Sequence, residues 1–174
     1  MFIFWVVIVL IIVQRGFELW IAKRNERWMK GRGAVEFGQD HYKWIVLMHG
    51  GFFLFLIGEV VITGGELIPR WPVIISLFLT AQVGRIWALT SLGRYWNTKI
   101  IVLPGEKLVR KGPYQWVNHP NYWIVAIELL TLPILFQAWI TAVVFTVLNG
   151  SILLLVRIPK EEEALKWLTN QEIE

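Results

Sequence analysis

Five apolar runs, each close to the length of a bilayer-crossing helix, constrain the fold of this chain more than any other feature. The chain has 174 residues, of which 56% are hydrophobic, a larger share than the roughly 45–50% of ordinary soluble domains. A helix needs about 20 mostly apolar residues to cross a bilayer. The sequence therefore predicts an all-α integral membrane protein with about five transmembrane helices. The predicted spans are residues 2–21, 44–62, 71–92, 120–136 and 139–156.

The arrangement of these runs predicts a single membrane domain over residues 1–174. The last two runs are separated only by Gln137 and Ala138, so they form a tight helical hairpin of antiparallel neighbours. The first run lacks the basic leader and the small-residue cleavage site of a signal peptide, and we interpret it as a span. No repeat or low-complexity segment interrupts the chain.

The distribution of positive charge predicts the orientation of the helices. Fourteen of the 17 Lys and Arg residues lie in the first loop, the third loop and the C-terminal tail. Cytoplasmic loops of membrane proteins carry an excess of these residues. We therefore expect the N-terminus outside, and the C-terminus and the active site in the cytoplasm. The basic residues lie next to the membrane, where they suit anionic membrane lipids rather than nucleic acid.

Residue types that bind metals or form covalent bonds are sparse. The chain has no cysteine, which excludes disulfides, thiolate metal ligands and cysteine nucleophiles. His41, His49 and His119 show no His-x-x-x-His spacing, so we expect no metal site.

Ionisable residues inside the predicted spans are costly and are therefore candidates for function. Arg15 and Glu18 lie near the cytoplasmic end of the first span, and we interpret them as a local structural pair. Arg85 and Glu128 lie deeper, in the third and fourth spans. Two interpretations stay open for them, a structural pairing across the bundle and a polar pocket.

The polar segments on either side of the helical hairpin carry residues suited to chemistry. Residues 108–122 contain Gly-Pro-Tyr and His-Pro-Asn-Tyr, and the tail begins with Arg157 and Glu161. Each helix of the hairpin is about 25 Å long, so the chain returns to the membrane face that it left. We therefore expect His119, Arg157 and Glu161 to lie side by side. Pro120 suits the first position of a helix, next to its free amide groups.

The residues alone leave two interpretations of this cluster. In the first, the helix N-terminus favours an anionic group, Arg157 holds a carboxylate or enolate, and Glu161 accepts hydrogen bonds from an amine or hydroxyl. In the second, His119 and Pro120 only begin the span, and the acidic tail is a solvated surface.

The order of these motifs closely resembles the isoprenylcysteine carboxyl methyltransferase family. The resemblance covers residues 92–165, from a Gly-Arg-Tyr-Trp opening to Glu-Glu-x-x-Leu. It implies a small bacterial-type membrane methyltransferase that uses S-adenosylmethionine, in a cytoplasmic membrane rather than the endoplasmic reticulum. It further implies that Arg157 is the catalytic residue and faces a lipophilic acceptor. The implied cofactor contacts are Glu106, Lys107, Leu108, Val109, Tyr114, His119, Pro120, Asn121, Tyr122 and Glu161.

The resemblance implies methylation of a carboxylate or acidic hydroxyl on a lipophilic acceptor, either isoprenylcysteine-like or alkylpyrone-like. The family usually has arginine where this chain has Asn118, and the Phe-Gly and tyrosine that commonly follow the acidic pair do not occur in this tail. Three alternatives are a phospholipid methyltransferase, an NADPH-dependent sterol-type reductase, and a non-catalytic membrane scaffold or small transporter. Gly-Pro-Tyr and the Glu161-Glu162 pair favour methyl transfer. The sequence does not predict the oligomeric state.

Overall fold

The helices extend beyond the apolar runs in the computed structural model. The structure describes residues 1–171, so the last three residues of the predicted domain 1–174 lie outside the described part. A π-helical turn, Leu153–Arg157, joins α5 and α6 into one continuous rod. The elements in chain order are α1 Phe2–Lys30, β1 Val35–Phe37, α2 Gln39–Thr63, α3 Trp71–Leu92, β2 Ile100–Val102, α4 Pro120–Leu135, α5 Trp139–Ile152 and α6 Ile158–Gln171.

Within residues 1–171, four helical segments are long and apolar enough to cross a membrane: α1, α2, α3 and the α5–α6 rod. The remaining apolar helix, α4, has 16 residues, or roughly 24 Å of helix. Its residues are among the most buried of the bundle, because α3 and α5 flank it. The chain is therefore an all-helical integral membrane protein, as predicted.

Three helix ends differ from the prediction. α1 continues past residue 21 to Lys30, α2 begins at Gln39 instead of residue 44, and the last rod runs past residue 156 to Gln171. Hydropathy locates only the part of a helix inside the bilayer, whereas the backbone hydrogen bonds continue into water. The acidic tail is a helix that packs one face against β2 through Ala164 and Leu168 and leaves Glu162 and Glu163 exposed.

A small antiparallel sheet, which the sequence did not predict, lies outside the helical bundle. Val35 pairs with Val102, and Phe37 pairs with Ile100. Successive residues of a strand point to opposite faces, so β2 contacts two different helices. One face packs against Ala164 and Leu168 of α6, and the other face packs against Met29 of α1.

A layer of ion pairs joins α1, α3 and α4 inside the bundle. The Arg85 guanidinium donates to both carboxylate oxygens of Glu128, with an Nε–Oε1 distance of 2.8 Å. Glu128 also accepts from Arg15 at 2.6 Å and from Gln82 at 2.8 Å, and Glu18 accepts from Arg15 at 2.7 Å. The pairing of Arg85 with Glu128 is thus confirmed. The Arg15–Glu18 pair is part of the same layer and not only a local contact.

Glu59, an intramembrane carboxylate outside this layer, caps the start of α5. It accepts hydrogen bonds from the backbone N–H groups of Ile140, at 3.0 Å, and Thr141, at 2.8 Å, and from the Thr141 hydroxyl at 2.6 Å. The first amide groups of a helix lack partners within the helix, and its positive end favours an anion. Glu59 therefore ties α2 to α5.

Replacing Glu128 with alanine tests the buried layer. Arg85 is 4% exposed and loses its main partner, keeping only Glu18 at 3.3 Å, and breaking a buried ion pair by removing one partner costs about 3–5 kcal/mol. We expect Glu128→Ala to lower the free energy of unfolding by this amount in detergent micelles. Glu163→Ala removes an exposed carboxylate from α6 and should change it by less than about 0.5 kcal/mol. Equal stability of the two variants would contradict the stabilising role of the layer.

Candidate functional site

Two adjoining cavities lie where α4 begins and where α6 packs on β2. The larger has a volume of about 470 Å³ and the smaller about 140 Å³. The larger volume lies in the range of small-molecule sites, about 300–1,000 Å³. Tyr114, His119 and Glu161 line both cavities, so a ligand in either cavity lies beside the same three side chains.

The structure brings every residue predicted for the site to one of these cavities or to both. The predicted residues that line only the larger cavity are Glu106, Lys107, Leu108 and Val109. Those that line only the smaller cavity are Pro120, Asn121, Tyr122 and Arg157.

The first turn of α4 positions His119 and Tyr122. His119 is the N-cap residue of α4, as predicted, and Pro120 occupies the first position of the helix. The His119 ring stacks on Tyr122 with centroids 5.1 Å apart. Its Nδ1 lies 3.5 Å from Oε1 of Glu161, and this contact raises the pKa of His119 above its ordinary value. The hydroxyl of Tyr122 donates to the other oxygen of Glu161.

Arg157 lies at the end of the π-helical turn, a type of helix irregularity that is frequent at functional sites. Its side chain is buried, with Nε donating to the Tyr122 hydroxyl at 3.2 Å and Nη2 donating to the Thr98 carbonyl at 2.9 Å. The Thr98 hydroxyl in turn contacts that of Tyr42 at 3.1 Å. Within residues 1–171, Nη1 of Arg157 has no hydrogen-bond partner. The guanidinium is held rigidly in the wall of the smaller cavity and does not extend toward water.

Gly112 allows the Gly-Pro-Tyr segment to approach α3 closely. Its φ is +57°, and a Cβ there would lie 2.0 Å from Oγ of Ser91 and 3.0 Å from Nε1 of Trp87. Only glycine fits both this conformation and this space. Gly112 begins a 3₁₀ turn, Gly112–Gln115, which brings the following residues against the bundle.

Tyr114 projects from this turn into the bundle. It packs against a cluster that contains Ala88 of α3 and Ile124 of α4. Burial, with a smaller effect of Glu161, raises the pKa of Tyr114 to about 12. The phenol therefore stays protonated near neutral pH and can donate a hydrogen bond.

Several residues that line the cavities were missed by the sequence analysis. Tyr95 lines both cavities, and it lies in the Gly-Arg-Tyr-Trp opening that supports the family resemblance. Asn25 of α1 fixes this segment by donating to the carbonyls of Gly93, at 3.0 Å, and Trp96, at 2.8 Å. No sequence motif in α1 indicates that this helix helps to form the cavities. The other missed lining residues include Met29, Leu92, Trp96, Asn97, Lys99, Ile101, Leu103, Leu165 and Leu168.

An ion-pair cluster supports the wall that contains Lys99. The Lys99 amine lies 2.8 Å from Glu26 of α1 and 3.2 Å from Glu36 of β1. The hydrogen bond to Glu26 raises the pKa of Lys99 above its ordinary value. Lys30 contacts the same two carboxylates, at 2.7 and 2.5 Å. These contacts fix the segment between α3 and β2 against the end of α1.

The fold and these cavities define a membrane protein with a candidate small-molecule site at one end of its helical bundle. The model of the isoprenylcysteine carboxyl methyltransferase (ICMT) family matches residues 73–167. The chain belongs to this family, and it is accordingly a membrane methyltransferase in the broad sense.

Two bacterial proteins are similar over nearly their whole length. The chain is 48% identical over 163 residues to the uncharacterized protein YpbQ of Bacillus subtilis, with 94% of this chain and 96% of that protein covered. It is 27% identical over 159 residues to an uncharacterized protein of Haemophilus influenzae, with 91% and 92% covered. No solved structure matches the chain.

Alanine at Gly112 tests the close packing of the turn, with alanine at Gly105 as the control. Gly105 has φ +79° but nothing within 4 Å of an added Cβ, so it incurs backbone strain alone, about 1–2 kcal/mol. Gly112→Ala adds a steric clash and should lower the free energy of unfolding by about 2–4 kcal/mol. The measurement is chemical unfolding in detergent micelles. An equal loss of unfolding free energy in both variants would contradict the close packing of the turn against α3.

Proposed function

We propose that this protein is an S-adenosylmethionine-dependent O-methyltransferase that acts on the carboxylate or acidic hydroxyl of a lipophilic acceptor. The observation that carries the proposal is the pair of adjoining cavities, one beside an acidic group and one beside a buried arginine. Glu161 borders both cavities, whereas Arg157 borders only the smaller one.

The larger cavity suits S-adenosylmethionine in size and in the chemistry of its lining. The cofactor carries a positive sulfonium and an amine, and Glu161 and Glu162 supply negative charge. The aromatic rings of Tyr95 and Tyr114 are also favourable neighbours for a cation. Apolar side chains, among them Leu103 and Leu168, line the same cavity and suit the flat faces of a nucleoside.

The smaller cavity suits the anionic head of the acceptor. Arg157 is fixed there by its bonds to Tyr122 and Thr98, and a guanidinium binds a carboxylate or enolate through a planar pair of hydrogen bonds. Lys99 lines the same cavity, but its charge is paired with Glu26 and Glu36, so Arg157 is the cation that the proposal assigns to the acceptor. The volume of about 140 Å³ admits only a small polar head, which leaves the apolar remainder of the acceptor to the bilayer.

Methyl transfer from a sulfonium is an in-line displacement: the acceptor oxygen forms the new O–C bond as the S–C bond breaks, and the sulfur becomes a neutral thioether. An acceptor that is already ionised needs no general base. In our proposal Arg157 orients the acceptor anion, Glu161 orients the cofactor, and the buried walls exclude water. Tyr122 contacts both of these residues, so it fixes the position of the smaller cavity's arginine relative to the carboxylate beside the larger cavity.

Calorimetric titration with S-adenosylmethionine and with NADPH tests the cofactor. We expect binding of S-adenosylmethionine only, weakened more than tenfold, or about 1.4 kcal/mol, by His119→Ala and by Glu161→Ala. Glu163→Ala, on the exposed side of the same helix, serves as the control and should bind normally. Binding of NADPH would instead favour the reductase. Unchanged affinity in both folded site variants would eliminate the cofactor pocket.

Replacing Arg157 with lysine separates the acceptor from the cofactor. The charge remains, but the planar fork is lost. We expect the affinity for S-adenosylmethionine to stay within about threefold, under roughly 0.7 kcal/mol. Methyl transfer to a lipophilic acid should fall at least about tenfold in kcat/KM. Arg24→Lys, an exposed substitution on α1, should leave both unchanged. Full activity of Arg157→Lys would remove the acceptor role from Arg157.

A further inference from the structure

The 3₁₀ turn Gly112–Gln115 lies beside the membrane-spanning part of α3 and not beyond its end. Gly112 contacts Ser91 and Trp87, and the rings of Trp87 and Trp116 have centroids 5.8 Å apart. Trp87 precedes the end of α3 at Leu92 by five residues, or about 7.5 Å of helix. The turn therefore lies level with the last turns of a helix that crosses the bilayer.

The two sides of this turn face different surroundings. Tyr114 points into the bundle and lines both cavities. Trp116 points outward and is 72% exposed, and Val117 beside it is also exposed. Trp87 is half-exposed, and Val83 and Ile86 extend the apolar surface along α3 toward the middle of the membrane. We call Trp87, Trp116 and Val117 the tryptophan patch.

Positive charge adjoins the tryptophan patch. Arg110 and Lys111 directly precede the turn and are exposed. Tryptophan is enriched at the level of lipid headgroups, where its ring is apolar and its N–H is wet. Basic residues close to the membrane attract anionic lipids by a factor of about five each. The patch thus has the composition of a surface that contacts an anionic headgroup layer, and it is continuous with the apolar surface of α3.

We propose that the tryptophan patch docks in the headgroup layer of the protein's own bilayer, with anionic phospholipid as the partner of Arg110 and Lys111. Because Tyr114 belongs to the same turn, this contact fixes one wall of the two cavities. Lipid charge then controls the affinity of the larger cavity for its ligand. This last step rests on the proposed function, whereas the docking itself does not.

Spin labelling measures the docking without any cofactor. The chain has no cysteine, so a label on Trp116→Cys occupies a unique position. Leu154→Cys, on an exposed apolar residue of the π-helical turn between α5 and α6, is the lipid-facing control, and Lys166→Cys on α6 is the water-facing control. The samples are vesicles of phosphatidylcholine with about 30% phosphatidylglycerol. The measurements are the accessibilities of each label to oxygen and to a water-soluble nickel chelate.

We expect the label at position 116 to be more accessible to oxygen and less accessible to the nickel chelate than the label at position 166. A label at 116 as open to the nickel chelate as the one at 166 would overturn the proposal. Inaccessibility to both reagents, with dipolar broadening between labels, would also overturn it, because a second copy of the chain would then cover the patch.

Titration of S-adenosylmethionine into the unlabelled protein tests the link to the cavities. We expect at least about threefold tighter binding in vesicles with phosphatidylglycerol than in phosphatidylcholine alone. Lys111→Gln should reduce this difference, whereas Lys166→Gln should preserve it. Equal affinity in both kinds of vesicle would overturn the link. If S-adenosylmethionine binds in neither, the proposed function fails, and the spin-label result still decides the docking.

Discussion

The buried ion pair between Arg85 and Glu128 is the contact on which the site depends most. Two charges inside a bilayer stabilise a fold only when each finds several partners. Glu128 has three, Arg85, Arg15 and Gln82, drawn from α1 and α3. The same helix, α4, begins with His119 and Tyr122, about two turns before Glu128. Fixing Glu128 therefore fixes the depth and rotation of the residues that line the cavities.

The second half of the site depends on packing outside the membrane. Ala164 and Leu168 of α6 contact one face of β2, and this contact sets the position of Glu161 one turn earlier on the same helix. The π-helical turn before α6 lets Arg157 point into the smaller cavity while α6 stays on the sheet. The site is thus assembled from a membrane helix and an extramembrane helix, joined through Tyr122. This division suits the proposed reaction, in which the cofactor arrives from water and the acceptor from lipid.

The turn that begins at Gly112 connects these two environments. Its inward side chain, Tyr114, belongs to both cavities, and its outward neighbour, Trp116, lies on the surface beside α3. Gly112 alone permits this approach, because any side chain would collide with Ser91. Close packing against α3 therefore explains the glycine of the Gly-Pro-Tyr motif, independently of any ligand. One short backbone segment therefore carries both a side chain that lines the cavities and a side chain that, in our proposal, contacts the bilayer.

The apolar runs by themselves determined the membrane class and nearly all the helices, because bilayer crossing requires a length and composition that sequence displays directly. The motifs likewise indicated residues that the structure brings together around two adjoining cavities, and the pairing of Arg85 with Glu128 was one of two interpretations that the sequence left open. Only the tertiary structure decided the β1–β2 sheet, the helical tail, and the contributions of Asn25, Met29 and Tyr95. Three-residue strands carry too little pattern to predict, and the contacts of α1 join residues about 70 positions apart. Such contacts follow from how the helices pack, which no local pattern encodes.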